Sequence, residues 1–402
     1  MVLLFAMAFL HWHQPRVRPI ELPAPKPVSG AAVFYNQAFA AMPELNAEEK
    51  KLLTAKEPLD VNATKMLLAK YDSSLRLLAK GAAEPACEWG LDLTLGPSMP
   101  APHLSKGFEL NNALNLQARM HWLTGDVPAA TDDILLMLRF ARHMAQPTLL
   151  LGNLVMIAMN TVAINSAAQH LQDFDVVSLQ KLLDGIATLP PAPSLPQAMA
   201  MDSKIFSAWL RHALIGARER QQAEPIVGED NTLRQLKEGF IPKMTRLSPL
   251  VSFYLVRRFE QRSQELNRLM ELPYAEGKPK IDAMMKELEG KRRVDILACL
   301  ALRVGANIRL KDAQSEALWA IFRTALATQL HDPTGLRAQL AKLCDPYDGG
   351  PIEIQEVERG VKLVLKSEEG KKPVTLTVGL AKEGGRSATP SPRLLTPPEA
   401  AR

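Results

Sequence analysis

Aromatic side chains are scarce in this 402-residue chain, at 5% of all residues, whereas helix-forming residues such as methionine (16 copies) are plentiful. Sandwiches and barrels of β-strands depend on aromatic and β-branched side chains, so this shortage argues against an all-β fold. The composition instead favours a mainly α protein. The length is sufficient for one large helical body with a minor domain.

Cysteines are also few, and Cys87, Cys299 and Cys344 lie far apart in the sequence. No Cys-x-x-Cys pair or mixed Cys/His spacing is present, which disfavours a zinc site and a disulfide framework. Whether two of the three form a bridge in an oxidising compartment is left open by their spacing.

An excess of charge of one sign is missing as well. The net charge of +5 results from 48 basic and 43 acidic residues. The densest basic clusters, at 257–262 and 291–293, have acids such as Glu260 and Glu289 within or beside them. This interleaving is typical of solvated helix faces, so we expect no nucleic-acid partner, and nucleic-acid binding is the weaker alternative.

Sequence motifs typical of enzymes are missing. There is no phosphate-binding glycine loop, no G-x-G-x-x-G, no H-E-x-x-H and no G-x-S-x-G. The pair His11 and His13 around Trp12 lacks a third metal ligand and suits a membrane interface better. Other histidines stand singly in helical patterns, which is typical of core-edge or surface residues. The sequence therefore predicts no catalytic, cofactor-binding or metal-binding residue. The histidines that stand singly in helical patterns are His121, His143, His170 and His212.

The first thirty residues combine an apolar run with a proline-rich stretch. Residues 1–14 contain nine consecutive apolar residues after Met1, which as a helix cover about half of a ~30 Å hydrocarbon core. Residues 15–30 contain five prolines and predict an extended spacer. We interpret 1–14 as a partial membrane anchor or signal-like segment, with Met1 inside a longer anchor, and expect an extracytoplasmic protein tethered to the inner membrane. A cytosolic chain whose first helix packs into its own core is the alternative.

Residues 31–343 show the periodicity of a helical array. Apolar residues recur at helical spacing over 31–42 and 61–80, whereas the prolines of 81–104 predict an ordered loop. From about 105 two amphipathic segments form an αα-hairpin around "TGDVP", which is similar to a tetratricopeptide-type turn. Gly125 is expected in the turn, and Ala130 where the two helices pack closely.

Farther along, residues 148–168 are strongly apolar but contain three asparagines, which favours a helix buried among its neighbours over a membrane span. The stretch "LPPAPSLP" at 189–196 is a candidate sub-boundary. Additional helices are predicted, with breakers at 228–230 and 276–280. They are placed at about 197–222, 230–241, 247–272, 278–290, 293–309 and 312–330.

The last part of the chain changes period. Three alternating runs after "DPYDGGP" predict an antiparallel β-meander over 344–381 that caps the helical array, and 382–402 has the composition of a disordered tail. We expect the apolar face of the meander to pack on helices near 312–343. Asp345 and Asp348 are interpreted as turn residues, with an ion site as the weaker alternative.

Several short motifs resemble, in order, those of a loose group of uncharacterised bacterial membrane-anchored helical (TPR-like) proteins that end in D-P-F-x-G-x-P-L. The resemblance covers about 30–366 and implies a helical array with a terminal hairpin. The ending is also similar to that of type II secretion pseudopilins, but their calcium loop is missing, so calcium binding does not carry over. The matching motifs are Cys87 with Trp89, Pro102-His103-Leu104, Gly125-Asp126, and Asp345-Pro346-Tyr347 with Gly349 and Pro351.

Two functions follow as expectations. The first is a non-enzymatic extracytoplasmic scaffold that binds a protein or peptide partner. The second is a hydrolase-like enzyme with a site assembled from distant residues. A groove lined by apolar and amide side chains would favour the scaffold, which we prefer, and a cleft with clustered His, Asp and Glu would favour the enzyme.

Overall fold

The computed structural model describes residues 20–54, 59–220, 249–291, 295–358, 360–368 and 372–380. The predicted anchor at 1–14 with its His-Trp-His segment, the predicted helix at 230–241 and the predicted tail at 382–402 lie outside these residues.

The described chain is mainly helical with a small β part at its C-terminal end, which confirms the predicted fold class. Short 3₁₀ turns occupy Leu93–Ser98, Leu171–Asp173 and Pro333–Gly335. The α-helices are α1 (Ala31–Ala40), α2 (Ala47–Leu53), α3 (Val61–Ala83), α4 (Pro102–Thr124), α5 (Val127–Met144), α6 (Leu150–Gln169), α7 (Val176–Ala187), α8 (Leu195–Arg220), α9 (Pro249–Met270), α10 (Tyr274–Gly290), α11 (Ile296–His331) and α12 (Leu336–Leu340).

The strands form two separate antiparallel sheets. A two-stranded sheet pairs β1 (Ser29–Gly30) with β2 (Cys87–Glu88), and a three-stranded meander has the order β3 (Glu353–Val357), β4 (Gly360–Leu365) and β5 (Val374–Gly379). In the meander Leu363 stands opposite Ile354 on one side and Leu376 on the other. This register places apolar side chains on one face.

The predicted spacer joins the folded body at its last two residues. Gly30 has a φ of +61°, and a Cβ at this position would lie 2.3 Å from the carbonyl oxygen of Ala86. Only glycine allows the backbones to approach so closely. The proline-rich stretch is therefore fastened at β1, where it enters α1.

The hairpin of α4 and α5 has the predicted turn. Gly125 has a φ of +75° and ends α4 in the left-handed conformation. The Asp126 carboxylate then accepts the N–H of Ala129 at 3.1 Å and caps α5. Ala130 is fully buried, as close packing of the two helices requires.

Helix α6 is long and apolar enough to cross a membrane by length and composition, and half of its most apolar window is buried inside the protein. One of its asparagines contacts a neighbouring segment: Asn153 Nδ2 donates to the carbonyl oxygen of Pro193 at 2.9 Å. A helix that packs on its neighbours in this way has the environment that the sequence predicts.

Two predicted helix boundaries were wrong. The breaker at 276–280 lies within α10, where Pro279 is the sixth residue and the side chains of Ile281 and Met284 beyond it are buried. The helices predicted at 293–309 and 312–330 form the single helix α11 of 36 residues, which is about 54 Å long at 1.5 Å per residue. No glycine or proline stands between them, so nothing in the local sequence stops the helix.

The apolar interior of the described residues consists of two large clusters and a small third one around Tyr274, and α11 contributes to all three. The first core contains α1 and α3 to α7 together with the meander, and the second core begins at Leu195, directly after the proline-rich loop. Leu297 and Leu302 of α11 lie in the second core, whereas Leu318 and Phe322 lie in the first. The continuity of α11 therefore holds the two cores at a fixed separation.

The meander packs its apolar face into the first core. Val361, Leu363 and Leu376 are fully buried there, and β5 runs along the C-terminal end of α6 as well as beside α11. The contact with α11 agrees with the predicted packing near 312–343. The contact with α6 was not predicted from the sequence.

The "DPYDGGP" turn is held together by its own carboxylates. Asp345 is completely buried and accepts the backbone N–H groups of Tyr347 and Lys366, each at 2.8 Å. Asp348 accepts the Lys366 ammonium at 2.5 Å, which holds the pKa of this carboxyl below its usual range. Both acids thus have protein partners, and Asp345 ties the turn to the end of β4.

Replacing Lys311 by proline tests the continuity of α11. Lys311 is exposed and lies between the segments that enter the two cores. We expect Lys311→Pro to lower the free energy of unfolding by about 3 kcal/mol or more, because an interior proline removes a helix hydrogen bond and clashes with the preceding turn. Lys311→Ala is the control and should be neutral in urea denaturation. A proline variant as stable as the control would restore the two-helix interpretation.

Removing the Asp345 carboxylate tests how much this group stabilises the turn. We expect Asp345→Ala to destabilise the protein by roughly 1.5–3 kcal/mol, since two backbone N–H groups lose a charged acceptor. Asp348→Ala should have a smaller effect because its side chain is exposed. Thermal unfolding with calcium and with chelator should give the same midpoint for the wild type. A calcium-dependent midpoint would instead establish an ion site at this turn.

Candidate functional site

A partly open cavity of about 300 Å³ lies at the seam between the two cores. Its walls come from the loop at 91–101, the start of α4, the turn at 146–149, the start of α6, and α8, with single residues from α9 and α11. Most of the lining is apolar. The apolar residues include Leu91, Met99, Leu104, Met144, Leu149, Leu150, Leu151, Met199, Ile205, Phe206, Phe259 and Leu302.

On the α4 side the lining residue His103 packs on an aromatic cluster that lies behind the cavity wall. The imidazole of His103 lies on the indole of Trp89, with ring centroids 4.4 Å apart. Trp89 Nε1 donates to the carbonyl oxygen of His143 at 3.0 Å, and the hydroxyl of Tyr35 is 2.7 Å from Nδ1 of His143. These bonds fix the orientation of the indole, and the stack in turn positions His103.

Two of the short sequence motifs that carry the resemblance contribute residues to this side of the cavity. Trp89 comes from the Cys-x-aromatic segment and His103 from the Pro-His-Leu segment. Burial raises the pKa of the Cys87 thiol to about 12, so at pH 7 it is a protonated thiol and a poor nucleophile. All three cysteines are free thiols.

The opposite wall contains the polar residues that sequence reasoning missed. Asp202 and Ser203 lie on α8, and Oδ1 of Asp202 is 3.4 Å from the backbone nitrogen of Leu150 at the start of α6. The only signal in the sequence was a single acid in the apolar stretch "AMAMDSKIF". Gln146 adds one amide from the turn before α6.

Burial changes the protonation of the two titratable groups in opposite directions. It lowers the pKa of His103 to about 4 and raises the pKa of Asp202 to about 6, the latter opposed by the hydrogen bond from Leu150. At pH 7 the imidazole is neutral and the carboxylate is mostly ionised. The cavity therefore presents one negative charge in a lining that is mostly apolar.

The polar groups of the cavity are not connected as a catalytic unit. The hydroxyl of Ser203 is hydrogen-bonded to that of Ser263, and Asp202 to the backbone of α6. His103 forms no hydrogen bond to a side chain in the part of the chain that the structure describes. Nucleophilic catalysis requires a base within hydrogen-bond reach of the nucleophile and a group that orients the base.

Two imidazoles outside the cavity are hydrogen-bonded to carboxylates: His170 to Asp173 at 2.9 Å, and His121 to the more buried Asp133. Nδ1 of His121 is 2.8 Å from Asp133, which also accepts a hydrogen bond from Gln117 at 2.7 Å, and the hydrogen bond to Asp133 raises the pKa of His121. This pair resembles two members of a catalytic triad. Among the described residues no serine, threonine or cysteine side chain is hydrogen-bonded to the imidazole of His121. Nor do the described residues contain a group of three His, Cys, Asp or Glu that could hold a metal ion.

Comparison with protein-family models, with curated proteins and with solved structures gives no match to this chain.

The pH dependence of stability tests the burial of the two histidines. His103 and His143 both have a pKa of about 4 in the folded protein, against about 6.5 when unfolded. Between these values the unfolded chain binds more protons, so acidification from pH 6.5 to 4.5 should lower the free energy of unfolding. Asp202 acts in the opposite direction between about pH 4 and 6, because its folded pKa is raised.

Urea denaturation at several pH values measures these contributions. His103→Gln should reduce the loss of stability on acidification, and Asp202→Asn should increase it while stabilising the protein at pH 7. If the slope of His103→Gln between pH 6.5 and 4.5 equals that of the wild type, the imidazole is not buried as described.

Proposed function

We propose that this protein is a non-enzymatic helical scaffold that binds a protein or peptide partner, with an apolar side chain of the partner inserted into the cavity between the two cores. The observation that supports the proposal is the lining of this cavity, which is apolar on most sides and open to solvent on one.

The size and chemistry of the cavity suit an anchoring side chain. A volume of about 300 Å³ is at the lower end of the range of roughly 300–1,000 Å³ for ligand sites, and is suited to one or two side chains. Leu151 lies in the lining with 57% of its surface exposed, which extends the apolar surface outward. Buried apolar anchors of this kind supply most of the binding energy at peptide interfaces.

The polar groups of the cavity can orient a bound peptide. Gln146 and Asp202 offer an amide and a carboxylate that can accept N–H groups of a bound peptide backbone. The mainly apolar lining with the amide of Gln146 supports a scaffold. The hydrogen bonds of Ser203 and Asp202 lead to different partners and not to His103, which gives less support to a hydrolase.

We further propose that the scaffold is displayed on the outer side of the inner membrane. The apolar run at 1–14 and the proline-rich spacer at 15–30 support this placement. A stiff spacer that ends at β1 would hold the helical body, and the cavity with it, away from the membrane surface.

A charge at the cavity mouth tests the proposed function. Purified protein is used to select peptides from a displayed random library, and the affinity of a selected peptide is measured by fluorescence anisotropy. We expect Leu151→Asp to weaken binding at least about tenfold, equivalent to about 1.4 kcal/mol, because a carboxylate replaces apolar contact surface. The matched control is Val177→Asp on α7, which changes an equally apolar side chain that is 76% exposed and lies outside the cavity.

Equal affinity of the two variants would rule out the cavity as the binding site, and failure to select any peptide would contradict the scaffold. Hydrolysis of selected peptides or of ester substrates, lost in His121→Ala and Asp133→Asn, would favour the enzyme instead.

A further inference from the structure

One buried arginine differs from the other buried arginines in having no acidic partner. Arg262 pairs with Glu265 at 2.7 Å and with Glu287 at 2.5 Å, and Arg309 pairs with Asp312 at 3.1 Å. Arg142, on α5, has only 7% of its surface exposed and forms no ion pair with a carboxylate of the described residues. A buried guanidinium normally requires a counter-charge, since leaving water is costly for an ion.

The contacts that Arg142 does make are weak substitutes for an anion. Its Nη1 donates to the thioether sulfur of Met156 at 3.1 Å, and its Nε is buried without a hydrogen-bond acceptor. The guanidinium also lies over the indole of Trp319, 5.5 Å from the ring centroid. Sulfur is a poor acceptor, and a cation–π contact leaves the positive charge uncompensated.

A second guanidinium increases the local excess of positive charge. Arg323, one turn after Trp319 on α11, lies over the same indole at 5.4 Å and is exposed. It too forms no ion pair among the described residues. Burial and the neighbouring charge of Arg323 together lower the pKa of Arg142 to about 10, so Arg142 remains protonated at pH 7.

We propose that Arg142, Trp319 and Arg323 form a binding site for an oxyanion, the carboxylate or phosphate group of a ligand. Exposed Arg323 meets the anion first, and the buried guanidinium of Arg142, whose Nε has no hydrogen-bond acceptor, receives it. Guanidinium groups bind planar carboxylates and tetrahedral phosphates through paired N–H donors, and the indole supplies an apolar floor beside them. This site does not depend on the cavity or on the proposed function.

Thermal unfolding of the full chain at pH 7 tests the site, with sodium phosphate, sodium acetate and sodium chloride compared at equal ionic strength. An anion that binds the folded protein raises the midpoint progressively with its concentration. We expect phosphate or acetate to raise the midpoint of the wild type above the value in chloride. Which of the two is effective distinguishes a phosphate-bearing from a carboxylate-bearing ligand.

Variants separate specific binding from the general stabilisation that phosphate gives to folded proteins. Arg142→Met should abolish the extra rise, and in chloride it should melt at or above the wild-type midpoint, because an apolar side chain replaces an unpaired buried charge. Arg323→Gln should keep the fold and weaken the apparent affinity for the effective anion about tenfold. Arg139→Gln is the control, since it removes one positive charge from α5 at a residue that lines a different groove, and it should retain the full response.

Two results would overturn the proposal. One is an equal response to phosphate and acetate in the wild type and in Arg142→Met. The other is a lower midpoint of Arg142→Met in chloride, which would show that the guanidinium stabilises the fold without an anion.

Discussion

The continuity of α11 is the constraint on which the rest of the structure depends. This one helix contributes Leu302 to the cavity and to the second core, and Phe322 to the first core beside the meander. An α-helix of this length is a stiff rod, so the two cores cannot approach or separate without bending it. The cavity lies at their seam, beside Leu302 of α11.

Buried polar groups in this protein fall into two kinds. Those with complete hydrogen bonding hold the structure: Asp345 fastens the terminal turn, and His143 connects Tyr35 with Trp89. Those without adequate partners have no such role, and their desolvation cost is not recovered within the described fold. Arg142 belongs to this second kind. The cost of burying its positive charge is offset when an anion from outside the protein binds beside it, at the proposed anion site.

The sequence predicted the elements that local chemistry determines. Glycine and aspartate mark the turn at Gly125, and alternating side chains mark the meander, so both agree with the structure. Helix boundaries that depend on tertiary packing were not predicted. Helix α10 continues through Pro279, with Ile281 buried after it, and α11 continues where a break was expected. The cavity could not be predicted, because Asp202 acquires its role only from the seam that brings α6 to α8. Nothing in the sequence around Arg142 shows that it forms no ion pair with a carboxylate of the described residues.

The cavity and the proposed anion site are separate sites along helix α11. Leu302 and Trp319 are 17 residues apart on α11, which corresponds to about 25 Å along the axis and about a quarter turn around it. One small molecule cannot occupy both, whereas an extended peptide needs about eight residues to cover that distance. Apolar anchors supply affinity, and charge complementarity contributes selectivity and the rate of association. A partner that used both sites would thus be selected by its acidic group and retained by its apolar side chain, and loss of either contact would leave the other intact.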